Sequence, residues 1–340
     1  MQIVQELNST SWNSYVQSQG HNLYFLYNWK NVIEKTFKHS TFYLAACDQD
    51  KVLGIVPLAL FKSKLFGSFL VSIPFLNYGG IVADTEEARD LLLKEAVKIA
   101  KKNDCKFVEL RNAEKALISG LLVQEKKVTF YLNTRRECKQ LWLDIGPKVR
   151  NQVRKAEKEG CYTQIGGNEL IADFYTVFAR NMRDLGTPVY SKAFFQNIAR
   201  EFPDLYKVFV VRRNSKPLAA SFTLGYNGKL EVPWASSLHK YNKYCPNMLL
   251  YWKMIEYSSQ NKFKMFDFGR CTKSGSTYHF KKQWGGREIQ LHWQYWVKEG
   301  NSIPELNPNN PKYKLAIHLW KKLPLWLTKL IGPRIVRNIP

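Results

Sequence analysis

The sequence predicts an α/β protein built from two copies of one module in tandem. Three observations point there. The chain has 340 residues, more than one average domain needs. Hydrophobic residues make up 45% of it and aromatics 14%, which supplies packed cores and is unlike a disordered chain. One order of elements, hairpin then strand then helix then strand, occurs twice along it.

In the first copy, residues 42–47 read as a strand, 48–51 as a turn and 52–61 as the returning strand, because apolar runs bounded by polar turn residues favour a hairpin. Residues 70–73 add a strand, closed by the Asn77-Tyr78-Gly79-Gly80 turn. The spacing then predicts a helix over 84–103. Ala88, Leu92, Ala96 and Ile99 share one face, and Asp84 with Glu87 forms a capping box. Lys98, Lys101 and Lys102 sit near its C-terminal end, where the helix dipole favours cations. A strand over 106–110 follows.

The second copy has strands at 205–213 and 218–226 about the turn 214–217. After the Asn227-Gly228 hairpin turn come a strand at 230–237, a helix at 247–260 and a strand at 264–268. The hairpins are offset by roughly 165 positions and the helix–strand units by roughly 158, which sets Glu109 opposite Asp267. Domains are therefore expected at 1–160 and 161–300, with a basic aromatic tail over 301–340 packing on the domains or on a membrane.

Charge narrows the partners. Fifty-one Lys+Arg against 28 Asp+Glu give a formal net charge of +23, which attracts polyanions such as nucleic acid, anionic lipid or phosphorylated substrates. Residues 146–160 read as a short basic helix with Arg150, Arg154 and Lys158 four apart on one face, either a solvated linker or an anion-binding strip. After Glu305 no acidic residue remains. Lys314, Lys321, Lys322, Lys329, Arg334 and Arg337 alternate there with Trp320, Leu323, Trp326, Leu327 and Leu330, while Pro324 and Pro333 interrupt any long helix. Such a composition suits either the inner-membrane interface or packing on the first domain.

Several classes drop out. No stretch reads as a transmembrane helix, since the most apolar one, 65–82, holds Pro74, Asn77, Gly79 and Gly80. The first thirteen residues lack a basic n-region and an apolar core, so free thiols at Cys47, Cys105, Cys138, Cys161, Cys245 and Cys271 in a cytoplasmic protein are expected. No CxxC pair indicates a metal, no GxGxxG or P-loop run indicates a nucleotide fold, and no helix-turn-helix, zinc or RNP motif indicates DNA.

Specific motifs then appear. Asn181-Met182-Arg183-Asp184-Leu185-Gly186-Thr187-Pro188-Val189-Tyr190 resembles the RDLGTPVY segment of a Fem-like family. Leu230-Glu231-Val232-Pro233-Trp234 leading to Tyr244-Cys245-Pro246-Asn247, then Phe266-Asp267-Phe268-Gly269-Arg270, then Tyr278-His279-Phe280-Lys281-Lys282 are similar to the same family in order. The match resembles the FemAB-related proteins associated with PEP-CTERM/exosortase systems and runs along nearly the whole chain. The resemblance implies two tandem GNAT-like acyltransferase domains, each a mixed, mostly antiparallel sheet flanked by helices. It implies N-acyl transfer, aminoacyl or acyl, to an amine of a lipid- or nucleotide-linked cell-envelope or exopolysaccharide precursor. Better-known Fem relatives take the acyl group from aminoacyl-tRNA. This chain lacks the long coiled-coil insertion that some of them place near tRNA, so acyl-CoA stands beside it as donor. No tightly bound cofactor and no metal are implied.

Direct attack of an amine needs a proton acceptor, a stabiliser for the developing oxyanion and a proton for the leaving group. Asp267, at the end of a predicted strand, and Glu231 on the neighbouring one are the candidate carboxylates. Each has a plain alternative, an ion pair with Arg270 for Asp267 and a solvent-facing strand position for Glu231. Lys281 takes the place of the lysine that lies near the substrate in Fem relatives, with Lys282 as the other choice, and Tyr278 is a candidate proton donor or a packed aromatic. Arg183 and Arg270 can meet anionic groups, Arg183 equally pairing with Asp184, while Tyr190, Trp234, Tyr244 and Asn247 are carried as substrate-binding residues. The other function class is a non-catalytic basic scaffold on the same fold, binding a polyanionic glycan, lipid or RNA.

Overall fold

The computed structural model describes residues 1–63, 66–113, 118–303 and 311–339. Residues 304–310 and 340 of the expected tail lie outside them. In chain order the first elements are β1 (Gln2–Val4), α1 (Ser9–Ser18), α2 (Asn28–Phe37), β2 (Ser40–Asp48), β3 (Lys51–Ser63), β4 (Gly67–Ser72), β5 (Val82–Ala83), α3 (Glu86–Lys102), β6 (Phe107–Asn112) and β7 (Leu122–Gln124). Then come β8 (Lys127–Asn133), α4 (Cys138–Asp144), α5 (Pro147–Lys158), β9 (Tyr162–Gly166), α6 (Ile171–Leu185), α7 (Lys192–Glu201), β10 (Tyr206–Arg213), β11 (Lys216–Tyr226), β12 (Lys229–Ser237), α8 (Pro246–Gln260) and β13 (Met265–Asp267). The chain finishes with β14 (Cys271–Thr272), α9 (Ser276–Lys282), β15 (Arg287–Gln290), β16 (His292–Val297), α10 (Pro311–Lys322) and α11 (Leu325–Val336).

Two compact units result, one of residues 1–127, 290–305 and 337–340, the other of 128–289 and 306–336. This corrects the border expected at 160. Residues 128–160 belong to the second unit because β8 pairs with β13 and because Val149, Val153 and Ala156, on the apolar face of α5, join the core formed with Leu249, Leu250 and Met254 of α8.

The first sheet runs β1-β2-β3-β4-β6-β16-β7, with β5 on β3, and the second runs β14-β8-β13-β12-β11-β10-β9, with β15 on β8. Both follow one plan. A four-strand antiparallel meander, β1 to β4 or β9 to β12, is followed by a crossover helix, α3 or α8, and by one parallel strand, β6 or β13. An antiparallel strand then pairs with that one, β16 in the first unit and β8 in the second. Glu109 and Asp267 hold equivalent places, Glu109 in register with Val71 and Asp267 with Glu231.

Local chemistry explains the details. The β11–β12 turn has Asn227 at φ 46° and Gly228 at φ 74°, the two left-handed positions that a tight hairpin with the strands' twist requires. The N-cap of α3 is Thr85 rather than Asp84. Its side chain accepts from Ala88 N, while the Asp84 carboxylate accepts from the Tyr15 hydroxyl at 2.9 Å. Apolar residues of α3, Ala88, Leu92, Ala96 and Ile99, bury against Leu44, Val56, Leu58 and Leu70 of the first sheet. Pro333 does not end α11, which continues to Val336. Arg150 of the basic α5 donates through Nη1 to the carbonyls of Trp142, Leu143 and Ile145, closing the C-terminus of α4 and leaving the expected anion strip without its first member.

Candidate active site

The second unit holds the expected site residues in and around a wedge between β12 and β13. Their parallel ladder spans three pairs, Lys229↔Met265, Leu230↔Phe266 and Glu231↔Asp267, and stops. β12 continues to Ser237. The reason is Pro233. Between the pairs Leu224↔Glu231 and Phe222↔Trp234 the ladder to β11 shifts, so Val232 and Pro233 stand opposite Thr223 alone. Proline lacks the N–H that a central ladder needs and is tolerated at such a bulge, which bends the strand. Among the described residues, no strand pairs with the edge of β12 turned from β11 from Val232 to Ser237.

At the point of the wedge lies a buried charged cluster. Asp267 is fully buried. Its Oδ1 accepts from Thr129 Oγ1 at 2.7 Å and Gly269 N at 2.9 Å, and its Oδ2 lies 3.9 Å from Lys229 Nζ. Burial, the largest single influence, would lower the Lys229 ammonium, but Asp267, Tyr131 and Glu231 together outweigh it and hold its pKa above the ordinary value. Lys229 Nζ also donates to Tyr131 Oη at 3.2 Å. Burial first, then the Asp267 charge, pushes that phenol up to about 12. Glu231, buried, is Asp267's neighbour in register.

Lys281 enters the same cluster from α9, whose inward face carries Tyr278 and Lys281. Its Nζ donates to Gly269 O at 2.6 Å and to Arg270 O at 3.0 Å. Gly269, at φ 70°, makes the turn between Asp267 and those carbonyls, a conformation that a side chain resists. Burial lowers the Lys281 pKa to about 8, against the opposing pull of Cys271, Asp267 and Glu231. The expected acid and cation therefore converge, joined through one glycine turn.

The other expected residues divide. Arg270 is half-buried and lends its carbonyl to Lys281. Lys282 is exposed, 5.7 Å from the Tyr278 ring centroid. The Tyr278 hydroxyl donates to Glu288 Oε2 at 2.6 Å and its ring packs on Phe130. That hydrogen bond, then burial, raises its pKa. Trp234 is a core aromatic, edge-on to Phe194 and Phe195. Arg183 donates Nε to Asp184 at 2.7 Å and Nη1 to Leu323 O at 3.2 Å, so it ties α6 to the residue that follows α10. Tyr190 packs on Phe194 and lends its carbonyl to the Tyr175 hydroxyl. Tyr244 lies under the Arg213 guanidinium at 4.2 Å and Asn247 in the first turn of α8.

The sequence reading missed Thr129, Lys229 and Tyr131. Lys229 stands two residues before Glu231, hence on the same strand face, which was the available signal. Thr129 and Tyr131 come from β8, which pairs with β13 across more than a hundred residues, and no local pattern marks them. A hollow of about 570 Å3 lies where β12 ends, lined by Ser237, His239, Lys240 and Asn242 with Asn181, Asp184 and Leu185 of α6. Another, of about 320 Å3, shares only Tyr131 with the charged cluster. Among the described residues no group of His, Cys, Asp and Glu is placed to hold a metal, and all six cysteines are free thiols.

Comparison with known proteins agrees with this fold. Residues 147–282 match the family described as acetyltransferase (GNAT) domain. No curated protein matches the sequence. Among solved structures, FemX is 15% identical with a TM-score of 0.69, over 93% of this chain and 100% of that one. L-PGS from Bacillus licheniformis is 13% identical with a TM-score of 0.57, over 95% and 100%. A tandem GNAT protein from the clavulanic acid biosynthesis pathway is 10% identical with a TM-score of 0.57, over 89% and 99%. Residues 147–282 thus match a GNAT acetyltransferase domain, and the mixed α/β fold of two mostly antiparallel sheets flanked by helices is like that of FemX and the tandem GNAT protein.

Proposed function

We propose that the protein is an N-acyltransferase of the Fem kind. It moves an aminoacyl or acyl group from aminoacyl-tRNA or acyl-CoA to an amine of a cell-envelope or exopolysaccharide precursor, at the cytoplasmic face of a membrane. The observation that carries this reading is the wedge. A strand edge free from Val232 to Ser237 meets a buried cation and two carboxylates at its point. An extended donor can lie along that edge and use its N–H and C=O groups as a further strand would. The GNAT domain match over 147–282 supports the same reading and favours a thioester donor. The fold likeness to FemX supports the aminoacyl alternative.

In the reaction the amine nitrogen attacks the acyl carbon. A C–N bond forms, and the ester C–O or thioester C–S bond of the donor breaks. The amine gives up a proton and the departing oxygen or sulfur takes one. Two of the three Lys281 N–H bonds hold the Gly269 and Arg270 carbonyls; the third is the donor for the oxyanion, in a dry site where such a charge acts strongly. Asp267, held by Thr129 and Gly269, fixes the turn that aims Lys281. Glu231, at the last ladder pair before the free edge, is the acceptor assigned to the amine proton.

Purified protein offered charged tRNAs and acyl-CoAs with candidate precursor amines tests this, with products read by mass spectrometry. Formation of an amide from one donor class is expected. Consumption of no donor across the panel refutes the enzyme reading and returns the protein to the class of basic scaffolds.

A further inference from the structure

The helices α10 and α11 pack one side inward and leave large apolar side chains on the other. The inward stripe of α11 is made of Thr328, Gly332 and Val336, all buried. It is so close to the rest of the second unit that a Cβ on Gly332 would lie 3.0 Å from Val189 N. In α10 the side of Ile317 fits against Gly186 at the end of α6. The opposite sides hold the large apolar groups. Leu315 is 68% exposed, Leu319 54%, Trp326 67% and Leu330 58%. Each pair is spaced by four residues and so stands on one helix face. Lys314, Lys322, Lys329 and Arg334 are exposed around them, and no acidic residue follows Glu305.

We propose that these two helix faces are the protein's contact with a bilayer containing anionic lipid. Leu and Trp side chains on one face, flanked by cations, enter the headgroup–acyl boundary while lysines meet lipid phosphates. The charge selects this occupant: a second copy of the chain would bring the same cations against these, whereas an anionic surface complements them. A nucleic acid would satisfy the cations and leave four large apolar groups in water. Among the described residues no helix is long and apolar enough to cross a membrane, so the contact is superficial. The inference is independent of the proposed chemistry, since binding is read without turnover.

The test is co-sedimentation of the full chain with vesicles of phosphatidylcholine alone and of phosphatidylcholine with phosphatidylglycerol. Binding to the anionic vesicles only is expected, weakened by salt. Trp326→Ser with Leu330→Ser is expected to reduce it at least about tenfold, and Lys314→Gln with Lys322→Gln to remove much of the anionic preference. All four positions are exposed, and melting curves matching the wild type show that the variants fold. Three results overturn the proposal: no vesicle binding by the wild type, binding that both variants retain, or a wild-type dimer in sedimentation velocity that Trp326→Ser with Leu330→Ser disperses. Binding of tRNA but not vesicles, lost in Lys314→Gln with Lys322→Gln, assigns these faces to RNA instead.

Discussion

Lys281 is where burial and chemistry meet. Its pKa of about 8 means that the folded protein gives up this proton well before the unfolded chain does, near the ordinary lysine value of about 10.4. The unfolded state binds more protons in that window, so the Lys281 contribution to stability rises from about pH 8 and levels off near the ordinary lysine value. Lys281→Met abolishes the rise. At pH 7 it changes stability by no more than about 1–2 kcal/mol, because loss of a buried charge offsets the two carbonyls left without a donor. Urea midpoints at pH 7 and 9 read both effects. Acyl transfer in this variant falls by about 10²–10³-fold, the usual effect of removing one oxyanion donor. Wild-type turnover, which uses the ammonium, declines above about pH 8.

Asp267→Asn behaves differently. It weakens two charge-assisted hydrogen bonds and deprives Lys229 of its carboxylate, costing about 2–4 kcal/mol in urea unfolding. An unchanged midpoint would contradict the buried network.

The convergence of Asp267 and Lys281 was legible in the sequence because both lie within one short segment, fifteen residues from end to end. The packed role of Trp234 and the engagement of Arg183 and Tyr278 were not. Their partners, Phe194 and Phe195, Leu323 and Glu288, are brought in by the fold rather than by sequence spacing.

Between elements, the two units treat the same wedge in opposite ways. In the first, β4 stops at Ser72 and residues 73–80 fold back, all buried, between the strand ends. A Cβ on Gly79 would lie 2.8 Å from Ser72 O, so only glycine admits that approach. Gly79 N donates to Arg111 O at 2.8 Å and Arg111 N to Ser72 Oγ at 2.9 Å. The place of the Asp267 cluster is taken by a closed pair, Glu109 with Arg111 Nε at 2.6 Å, locked by the Tyr295 hydroxyl and by Leu76 O. Arg111→Met leaves Glu109 as a buried charge and costs about 3–5 kcal/mol in chemical denaturation. It leaves the turnover of the folded fraction within about twofold, because no acyl donor is assigned to this unit. A larger fall in the folded enzyme's rate would place chemistry there too.

At this scale the sequence foretold the hairpins and crossover helices closely. Apolar runs and the Asn227-Gly228 turn are local signals. The hairpin pattern did not extend to α6 and α7, where aromatic residues such as Phe174, Phe178, Phe194 and Phe195 build a cluster of rings, although Phe174 and Phe178 recur at helical spacing.

For the whole molecule, the border between units follows pairing rather than composition. β8 lies ahead of the second meander in sequence yet closes its sheet, and β16 comes after that meander yet pairs with β6. A repeat search along one dimension sees two successive modules and misses this exchange of closing strands. A fragment of residues 161–300 lacks β8, α4 and α5 and exposes the α8 face that Val149, Val153 and Ala156 cover. It is expected to show no cooperative unfolding transition by circular dichroism, whereas the full chain does.

The central claim is that the edge of β12 beyond Glu231 receives the acyl donor. Crystals of the protein with a thioether analogue of acyl-CoA and with a 3′-amide analogue of aminoacyl-adenosine test it most directly. The account predicts that one of them lies along Val232–Ser237, with its acyl carbonyl oxygen within hydrogen-bond reach of Lys281 Nζ or a β12 N–H. Both analogues bound elsewhere, with that edge bare, would contradict it.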